Sequence, residues 1–217
     1  MKRVTLFAGH YGSGKTNIAV NYALKLRGTG VEVGIADLDI VNPYFRTKDS
    51  AEALEAAGID LISPAYANSN VDLPALPQEV YGLVQNRKKY AIMDIGGDER
   101  GALALGRYRP YILEENNYEM VFVVNFYRPL TRRAEEALEV MREIEAAGGI
   151  PFTAIVNNSN IGAETDAGDV RATYDEVQRL CALSGLPLLF TSVKEELVNS
   201  FEGEQVLPLR LQRKIID

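Results

Sequence analysis

An α/β fold with a mostly parallel β-sheet is predicted by three features of this 217-residue sequence. Short apolar segments alternate along the chain with longer segments of helical periodicity. A glycine-rich loop directly follows the first apolar segment, and polar residues cluster where later apolar segments end. Apolar strands that alternate with helices are typical of a parallel sheet covered on both faces. We therefore predict a single-domain, three-layer sandwich over residues 1–217, with about seven strands and helices on both faces.

Seven short apolar segments are predicted to be strands because their lengths and flanking turn residues suit strands better than helices. They cover residues 4–8, 31–36, 59–62, 90–95, 120–124, 152–156 and 188–190. Apolar residues three or four positions apart predict helices over residues 16–27, 50–57, 131–147 and 170–183, with one more ending near Lys89. Residues 101–115 are predicted to be mainly helical, with Pro110 interrupting the helix. The helix over 131–147 has the clearest pattern, and Gly148 and Gly149 end it.

The composition favours a soluble, cytoplasmic protein. The chain carries 23 Lys and Arg against 30 Asp and Glu, a net charge of −7, whereas surfaces that bind nucleic acid are usually basic. The single cysteine, Cys181, cannot form a disulfide or a cysteine metal cluster within one chain. No apolar run is as long as a membrane span, and no signal-like leader precedes the first strand. We therefore expect neither nucleic acid nor a membrane as a partner.

A phosphate-binding loop is predicted directly after the first strand. The pattern G-x-x-x-x-G-K-[ST] is matched without a gap by Gly9, His10, Tyr11, Gly12, Ser13, Gly14, Lys15 and Thr16. The glycines let backbone N–H groups converge on phosphate oxygens, and the helix that follows adds the positive end of its dipole. Lys15 is expected to reach the outer phosphates and the Thr16 hydroxyl to ligate Mg²⁺, with Asn17 as a further nucleotide-binding residue. The alternative is an ordinary strand-to-helix turn with a solvated Lys15.

Polar residues near the ends of three later strands predict the rest of the site, because ligands of open parallel sheets bind at the carboxyl ends of the strands. Asp37 and Asp39 follow the second strand, Asp94 lies at the end of the fourth, and Asn157 follows the sixth. Asp94 is expected to hold Mg²⁺ through water, or else to cap the next helix. Asp37 and Asp39 point the same way because they are two positions apart. One is predicted to join the Mg²⁺ water shell and the other to orient an attacking water or accept a proton, unless both are only turn residues.

Four features together resemble the MinD/ParA/CobB group of phosphate-loop NTPases over most of the chain: the loop of residues 9–16, the aspartates Asp37 and Asp39, Asp94 followed by Gly96 and Gly97, and Asn157. The resemblance implies that Asp39 assists attack on the terminal phosphate, that Asp37 lies near the metal and that Asp94 anchors Mg²⁺. It also implies that Asn157 recognises adenine, for which an amide offers a donor and an acceptor. ATP and Mg²⁺ are therefore the expected cofactors, and the neighbouring Asn158 is expected to be a turn residue.

One loop position departs from the partition-type members of that group, which carry a second lysine directly after the first glycine of the loop. In those proteins the lysine reaches the ATP bound by the partner of a dimer. His10 has this position here, and a neutral imidazole supplies no fixed positive charge. It either donates a hydrogen bond to a phosphate or is a tolerated loop residue. We expect a monomer or a homodimer built differently from the nucleotide sandwich.

Two further segments and one set of arginines each allow two interpretations. Tyr44 and Phe45 suggest a partner or substrate surface, or else a small satellite core. Residues 207–216 mix apolar and basic side chains as membrane-targeting tails do, but the segment is short and contains Pro208, so membrane contact is not expected. Five arginines either hold an anionic second substrate or acidic partner or lie on solvated helix faces beside glutamates: Arg107, Arg109, Arg128, Arg132 and Arg133.

Three classes of function fit these features. The first is a MinD/ParA-like switch ATPase, in which the ATP and ADP states present different surfaces to a protein partner. The second is a synthetase or kinase of the CobB or dethiobiotin-synthase type that acts on a small molecule. The third is a nucleotide-binding module without turnover. The predicted pair of carboxylates beside the terminal phosphate favours turnover, and we expect ATP hydrolysis with a partner that the sequence does not identify.

Overall fold

An eight-stranded parallel sheet forms the centre of the computed structural model, which describes residues 1–39, 50–63, 78–97 and 99–210. The strands are β1 (Val4–Ala8), β2 (Val33–Leu38), β3 (Asp60–Ile62), β4 (Tyr90–Ile95), β5 (Tyr118–Val124), β6 (Ala154–Asn157), β7 (Leu188–Lys194) and β8 (Val206–Leu209). They lie in the order β3-β2-β4-β1-β5-β6-β7-β8, and every neighbouring pair is parallel. The carboxyl ends of all these strands therefore lie along one edge of the sheet.

Eight α-helices lie in the described part of the chain. They are α1 (Lys15–Arg27), α2 (Ala51–Ala56), α3 (Glu79–Gln85), α4 (Glu99–Leu105), α5 (Arg109–Glu115), α6 (Ala134–Gly148), α7 (Ala167–Arg171) and α8 (Tyr174–Ser184). Two segments, Pro129–Thr131 and Glu195–Phe201, are 3₁₀-helical. Helix α6 buries Leu138, Met141 and Ile144 at the spacing of one helical face, and it ends where Gly149 adopts a φ of 66°.

Side chains that alternate along the strands supply two apolar cores, one on each face of the sheet. In β5, Met120, Phe122 and Val124 belong to one core, whereas Val121 and Val123 belong to the other. This period of two residues follows from the pleat of a strand. The first core also contains the apolar faces of α6 and α8, and the second contains those of α1 and α2. The protein therefore has three layers, with the sheet in the middle.

The predicted α/β fold class, with a parallel sheet between two layers of helices, is confirmed. All seven predicted strands are present, and β8 is an additional strand at the edge. Strands β2 and β6 extend further than predicted, so Asp37 and Asn157 lie inside strands and not after them. The predicted interruption of the helical segment 101–115 at Pro110 is present, because the segment is divided into α4 and α5 and Pro110 lies in the first turn of α5. The helix predicted over 170–183 is also divided, into α7 and α8.

Some predictions are not addressed by this architecture. The segment with Tyr44 and Phe45, and the C-terminal basic segment beyond Arg210, lie outside the described residues. The assignment of residues 1–217 to a single domain stays a prediction. Within the ranges that the structure describes, no helix combines the length and the apolar character needed to cross a membrane.

Candidate functional site

The loop of residues 9–16 joins β1 to α1 and closes on itself. The backbone N–H of Ser13 donates to the carbonyl of His10 at 3.0 Å, and Gly12 and Gly14 adopt φ angles of 77° and 85°. Those angles favour glycine, and a Cβ atom at Gly14 would also lie 2.2 Å from Nδ2 of Asn158. The two glycines therefore allow a tight loop whose N–H groups precede a helix, which is the arrangement that binds phosphate.

Lys15, the first residue of α1, forms a buried ion pair with Asp39. Its Nζ lies 3.1 Å from Oδ2 of Asp39, and the two side chains are only 3% and 5% exposed. Taking two charges out of water is costly, so each needs a partner of opposite charge nearby. Asp39 comes directly after β2, and the pair thus joins the phosphate-binding loop to the end of a second strand.

Asp37 and Asp94 lie side by side on neighbouring strands. They are register partners in the parallel ladder of β2 and β4, so both carboxylates are near the same strand ends. Oδ1 of Asp37 accepts a hydrogen bond from the backbone N–H of Asp39 at 3.0 Å. The structure therefore brings together the loop lysine and all three aspartates that the sequence predicted as site residues.

Asp94 is fully buried, and neither of its carboxylate oxygens has a hydrogen-bond partner among the described residues. Burial raises the pKa of this carboxyl to about 8; the nearby Lys15 ammonium and the Thr16 hydroxyl oppose the rise, and the Asp37 and Asp39 carboxylates add to it. A buried polar group without a partner is costly and unusual in a folded protein. Such a group suits a site whose ligand, a metal ion with its water shell, completes the hydrogen bonding.

Mg²⁺ suits the residues present at this position. The ion prefers oxygen ligands, keeps several waters and is commonly held by one or two carboxylates together with phosphates. The Thr16 hydroxyl and the Asp94 carboxylate are oxygen donors next to the phosphate-binding loop, and both are buried. Across the described ranges, no group of three or more His, Cys, Asp or Glu side chains is placed to hold a metal ion. The predicted ligands Thr16, Asp94 and Asp37 stay a prediction.

The segment that follows β4 packs directly against the phosphate-binding loop. A Cβ atom at Gly97 would lie 2.8 Å from both the carbonyl oxygen of Gly9 and the backbone nitrogen of Tyr11. Only a glycine therefore permits this approach. Through this contact the end of β4, which carries Asp94, is held against the loop that the sequence assigns to phosphate.

Asn158 ties the phosphate-binding loop to the end of β6. Its Nδ2 donates to the carbonyl of Ser13 at 2.6 Å, and its Oδ1 accepts from the Ser192 hydroxyl at 2.5 Å. The side chain is buried, so the expectation that Asn158 is only a turn residue is wrong. The signal available in the sequence was its place in a polar run at a strand end, directly after Asn157.

Asn157 itself is fully buried, and both ends of its amide are hydrogen-bonded within the chain. Nδ2 donates to the Thr173 hydroxyl at 3.2 Å, and Oδ1 accepts from the backbone N–H of Ser159 at 3.1 Å. To contact a base, this amide must exchange at least one of these bonds. Recognition of adenine by Asn157 stays a prediction.

The other predicted nucleotide-binding residues have different surroundings. His10 bonds within its own loop, because its Nδ1 lies 2.9 Å from the carbonyl oxygen of Tyr11. The Tyr11 side chain is 54% exposed at the loop surface. Asn17 is next to the loop, and its Oδ1 accepts from Nδ2 of Asn21 at 3.0 Å. Ser13 is buried, and its hydroxyl has no hydrogen-bond partner among the described residues.

A cavity of about 620 Å³ opens beside the loop. Gly12, Gly14, Lys15, Thr16 and Asn17 form one wall, and the opposite wall comes mainly from the end of β7 and from the segments that follow β6 and β7. The opposite wall combines amide and hydroxyl groups with the apolar side chains of Val193 and Leu197. A cavity of this size, apolar in part and polar at one end, is typical of cofactor sites.

Comparisons with known proteins find the fold but no sequence relative. Neither a protein-family profile nor a curated protein matches the chain. The signal recognition particle receptor FtsY from Elizabethkingia anophelis matches with a TM-score of 0.55 at 18% identity, over 98% of this chain and 63% of that one. Chloroplast FtsY from Physcomitrella patens gives 0.61 at 19% identity, over 90% and 60%. The signal recognition particle 54 kDa protein from Aeropyrum pernix K1, in complex with GDP, gives 0.53 at 16% identity, over 88% and 41%.

These matches establish the fold alone. The chain spans 60% to 63% of the length of the two FtsY structures, and the sequence identities are below 20%. With the loop of residues 9–16 in place between β1 and α1, the fold is that of the phosphate-loop NTPases. The narrower resemblance to the MinD/ParA/CobB group stays a prediction.

The buried Asp94 predicts how stability depends on pH in the absence of metal and nucleotide. Its pKa rises from 3.8 to about 8 on folding, so between these pH values the folded protein keeps a proton that the unfolded chain releases. The free energy of unfolding therefore falls as the pH rises through this range. In Asp94→Asn this fall in the free energy of unfolding is absent. From pH 5 to pH 7 the free energy of unfolding of the variant should therefore rise by about 2 to 3 kcal/mol relative to that of the unmodified protein.

Urea denaturation in a chelating buffer at the two pH values measures this difference. Asp175→Asn, which removes an exposed carboxyl on α8, is the control and should follow the unmodified protein. Parallel stability profiles for Asp94→Asn and the unmodified protein would contradict the assignment of a buried, protonated Asp94.

Proposed function

We propose that this protein binds Mg-ATP and hydrolyses it as a MinD/ParA-like switch. The observation that carries the proposal is the arrangement around the phosphate-binding loop. Lys15, which lines the cavity, is paired with Asp39, and the carboxylate of the buried Asp94 has no hydrogen-bond partner within the part of the chain that the structure describes. A fold of this class uses such a loop for the phosphates of a nucleotide. The partner that responds to the switch is a protein or a small molecule still to be identified.

Each residue has a distinct role in this proposal. The loop N–H groups and Lys15 bind the phosphates, and the Thr16 hydroxyl and Asp94 hold Mg²⁺, with Asp37 near its water shell. When bound, Mg²⁺ offsets negative charge that develops on the terminal phosphate. Asp39 orients the attacking water or accepts its proton. Its ion pair with Lys15 supports this role, because a phosphate bound by Lys15 lies within reach of the same carboxylate.

The base is proposed to be adenine, and guanine is the second candidate. Amide and hydroxyl groups at the ends of β6 and β7 offer both donors and acceptors, which suits the adenine edge. Guanine is favoured by a different observation: an FtsY structure and the 54 kDa protein of similar fold are complexes with GDP. A GTP-binding switch would use the same loop, lysine and metal ligands.

The first prediction of this proposal concerns nucleotide binding. Mg-ATP should bind with about −7 to −8 kcal/mol, in the micromolar range, and should raise the melting temperature by mass action. Lys15→Ala should abolish binding because it removes the charge that reaches the outer phosphates. Isothermal titration calorimetry measures the affinity, and Lys25→Ala, an exposed lysine of the same helix, is the control. No binding of Mg-ATP or Mg-GTP to the unmodified protein would refute the proposed function.

The second prediction concerns the base. ATP should bind more tightly than GTP, and Asn157→Ala should reduce this preference more than it weakens triphosphate binding overall, because unpaired polar groups discriminate strongly between ligands. Thr173→Val is the control, since it removes the hydrogen bond from Asn157 but keeps the amide. Competition binding against a fluorescent nucleotide measures both effects. Equal affinities, or tighter binding of GTP, would make guanine the correct assignment.

The third prediction separates binding from chemistry at Asp39. Asp39→Asn should lower the rate of hydrolysis about 100-fold and leave ATP affinity within a few-fold, because the carboxylate acts on the attacking water. Single-turnover assays over hours are needed, since switch NTPases without their activator are slow. Asp37→Asn is the comparison and should retain more activity. If only Asp37→Asn is inactive, the two roles are reversed, and if neither variant changes the rate, the pair is not catalytic.

A further inference from the structure

Arg128 lies over the phosphate-binding loop, although it is far from that loop in sequence. Its Nε donates to the carbonyl oxygen of Gly12 at 2.9 Å, and its side chain lines the same cavity as Lys15 and Thr16. The residue is exposed, and its two terminal nitrogens form no hydrogen bond or ion pair with the described residues. The alternative that Arg128 lies on a solvated helix face is therefore wrong, because it precedes the 3₁₀ segment Pro129–Thr131 and turns toward the loop.

The turn after β5 holds Arg128 in this position. Asn125 organises the turn: its Oδ1 accepts from the backbone N–H of Tyr127, and its carbonyl accepts from the N–H of Arg128 and from the Thr131 hydroxyl. The backbone N–H of Phe126 also donates to the hydroxyl of Ser159, in the segment after β6. Hydrogen bonds at both ends thus fix the backbone from which the arginine extends.

The charge balance of the cavity leaves this arginine available for an anion. Lys15 is paired with Asp39. Arg128, in contrast, forms no ion pair with a carboxylate of the described residues. A guanidinium anchored at Nε still presents two terminal nitrogens, and a planar fork of this kind matches the oxygens of a phosphate. Because the Gly12 carbonyl holds the side chain, less conformational freedom is lost when an anion binds.

We propose that Arg128 is a phosphate-binding residue of the nucleotide site, supplied by the chain itself, and that its terminal nitrogens contact the outer phosphates. The proposal rests on the proposed nucleotide binding and adds a second cation to Lys15 in the cavity that both residues line. The contact with Gly12 places the guanidinium beside the middle of the loop, where the phosphates are expected to lie. Its contribution should therefore increase with the number of phosphates on the nucleotide.

Two substitutions separate the charge of Arg128 from its hydrogen bond to the loop. Arg128→Gln places an amide nitrogen at the position of Nε, so the donor to Gly12 is kept while the charge and the terminal nitrogens are removed. Arg128→Met removes all of them. Arg132→Gln, at a neighbouring exposed arginine, is the matched control. The affinities of AMP, ADP and ATP, with Mg²⁺ for the last two, are measured by calorimetry at low and at high salt, and melting temperatures check the folding of each variant.

We expect Arg128→Gln to weaken ATP binding about tenfold or more and AMP binding less than about twofold, since charge-assisted bonds to phosphate are the strong ones. The loss should shrink at high salt, because ions screen an exposed charge. Arg132→Gln should bind like the unmodified protein. Normal ATP affinity for Arg128→Gln, or equal losses for AMP and ATP, would overturn the proposal and leave the proposed function intact. Absence of any nucleotide binding by the unmodified protein would overturn both.

Discussion

Parallel pairing of β1 with β4 and β5 is the constraint on which the candidate site depends. Because neighbouring strands run in the same direction, the loop after β1 and the polar residues at the ends of β2, β4 and β6 meet at one edge of the sheet. Reversal of any one of these strands would move its polar residue to the far edge. The two apolar cores hold the strands in register, so packing at a distance from the site determines its geometry.

The site concentrates ionisable groups that are costly to bury. Lys15 and Asp39 stabilise each other as a buried pair, whereas Asp94 has no such partner among the described residues. A protein selected only for stability would not keep a buried carboxyl without hydrogen bonds. The arrangement is consistent with a site in which the bound nucleotide and metal ion provide the missing interactions. The close packing of Gly97 on the loop holds the end of β4 against the site.

Local patterns in the sequence predicted much of this structure, and long-range contacts account for what was missed. The strands and the loop were recognisable because apolar runs and glycine spacing reflect local geometry. Strand β8 was missed because it contains Pro208, which an edge strand tolerates although a central strand does not. The tether from Asn158 to Ser13 and the contact of Arg128 with Gly12 each join residues more than 100 positions apart. No local pattern indicates such contacts.

The most direct measurement is a crystal structure of the protein with Mg²⁺ and a non-hydrolysable ATP analogue. Nζ of Lys15, now 3.1 Å from Oδ2 of Asp39, is predicted to bind a phosphate oxygen of the analogue. The metal ion should contact the Thr16 hydroxyl and lie near Asp94, whose carboxylate then has hydrogen-bond partners in the metal's water shell. An analogue bound away from the loop of residues 9–16, or a bound analogue that leaves Lys15 paired only with Asp39, would contradict the account.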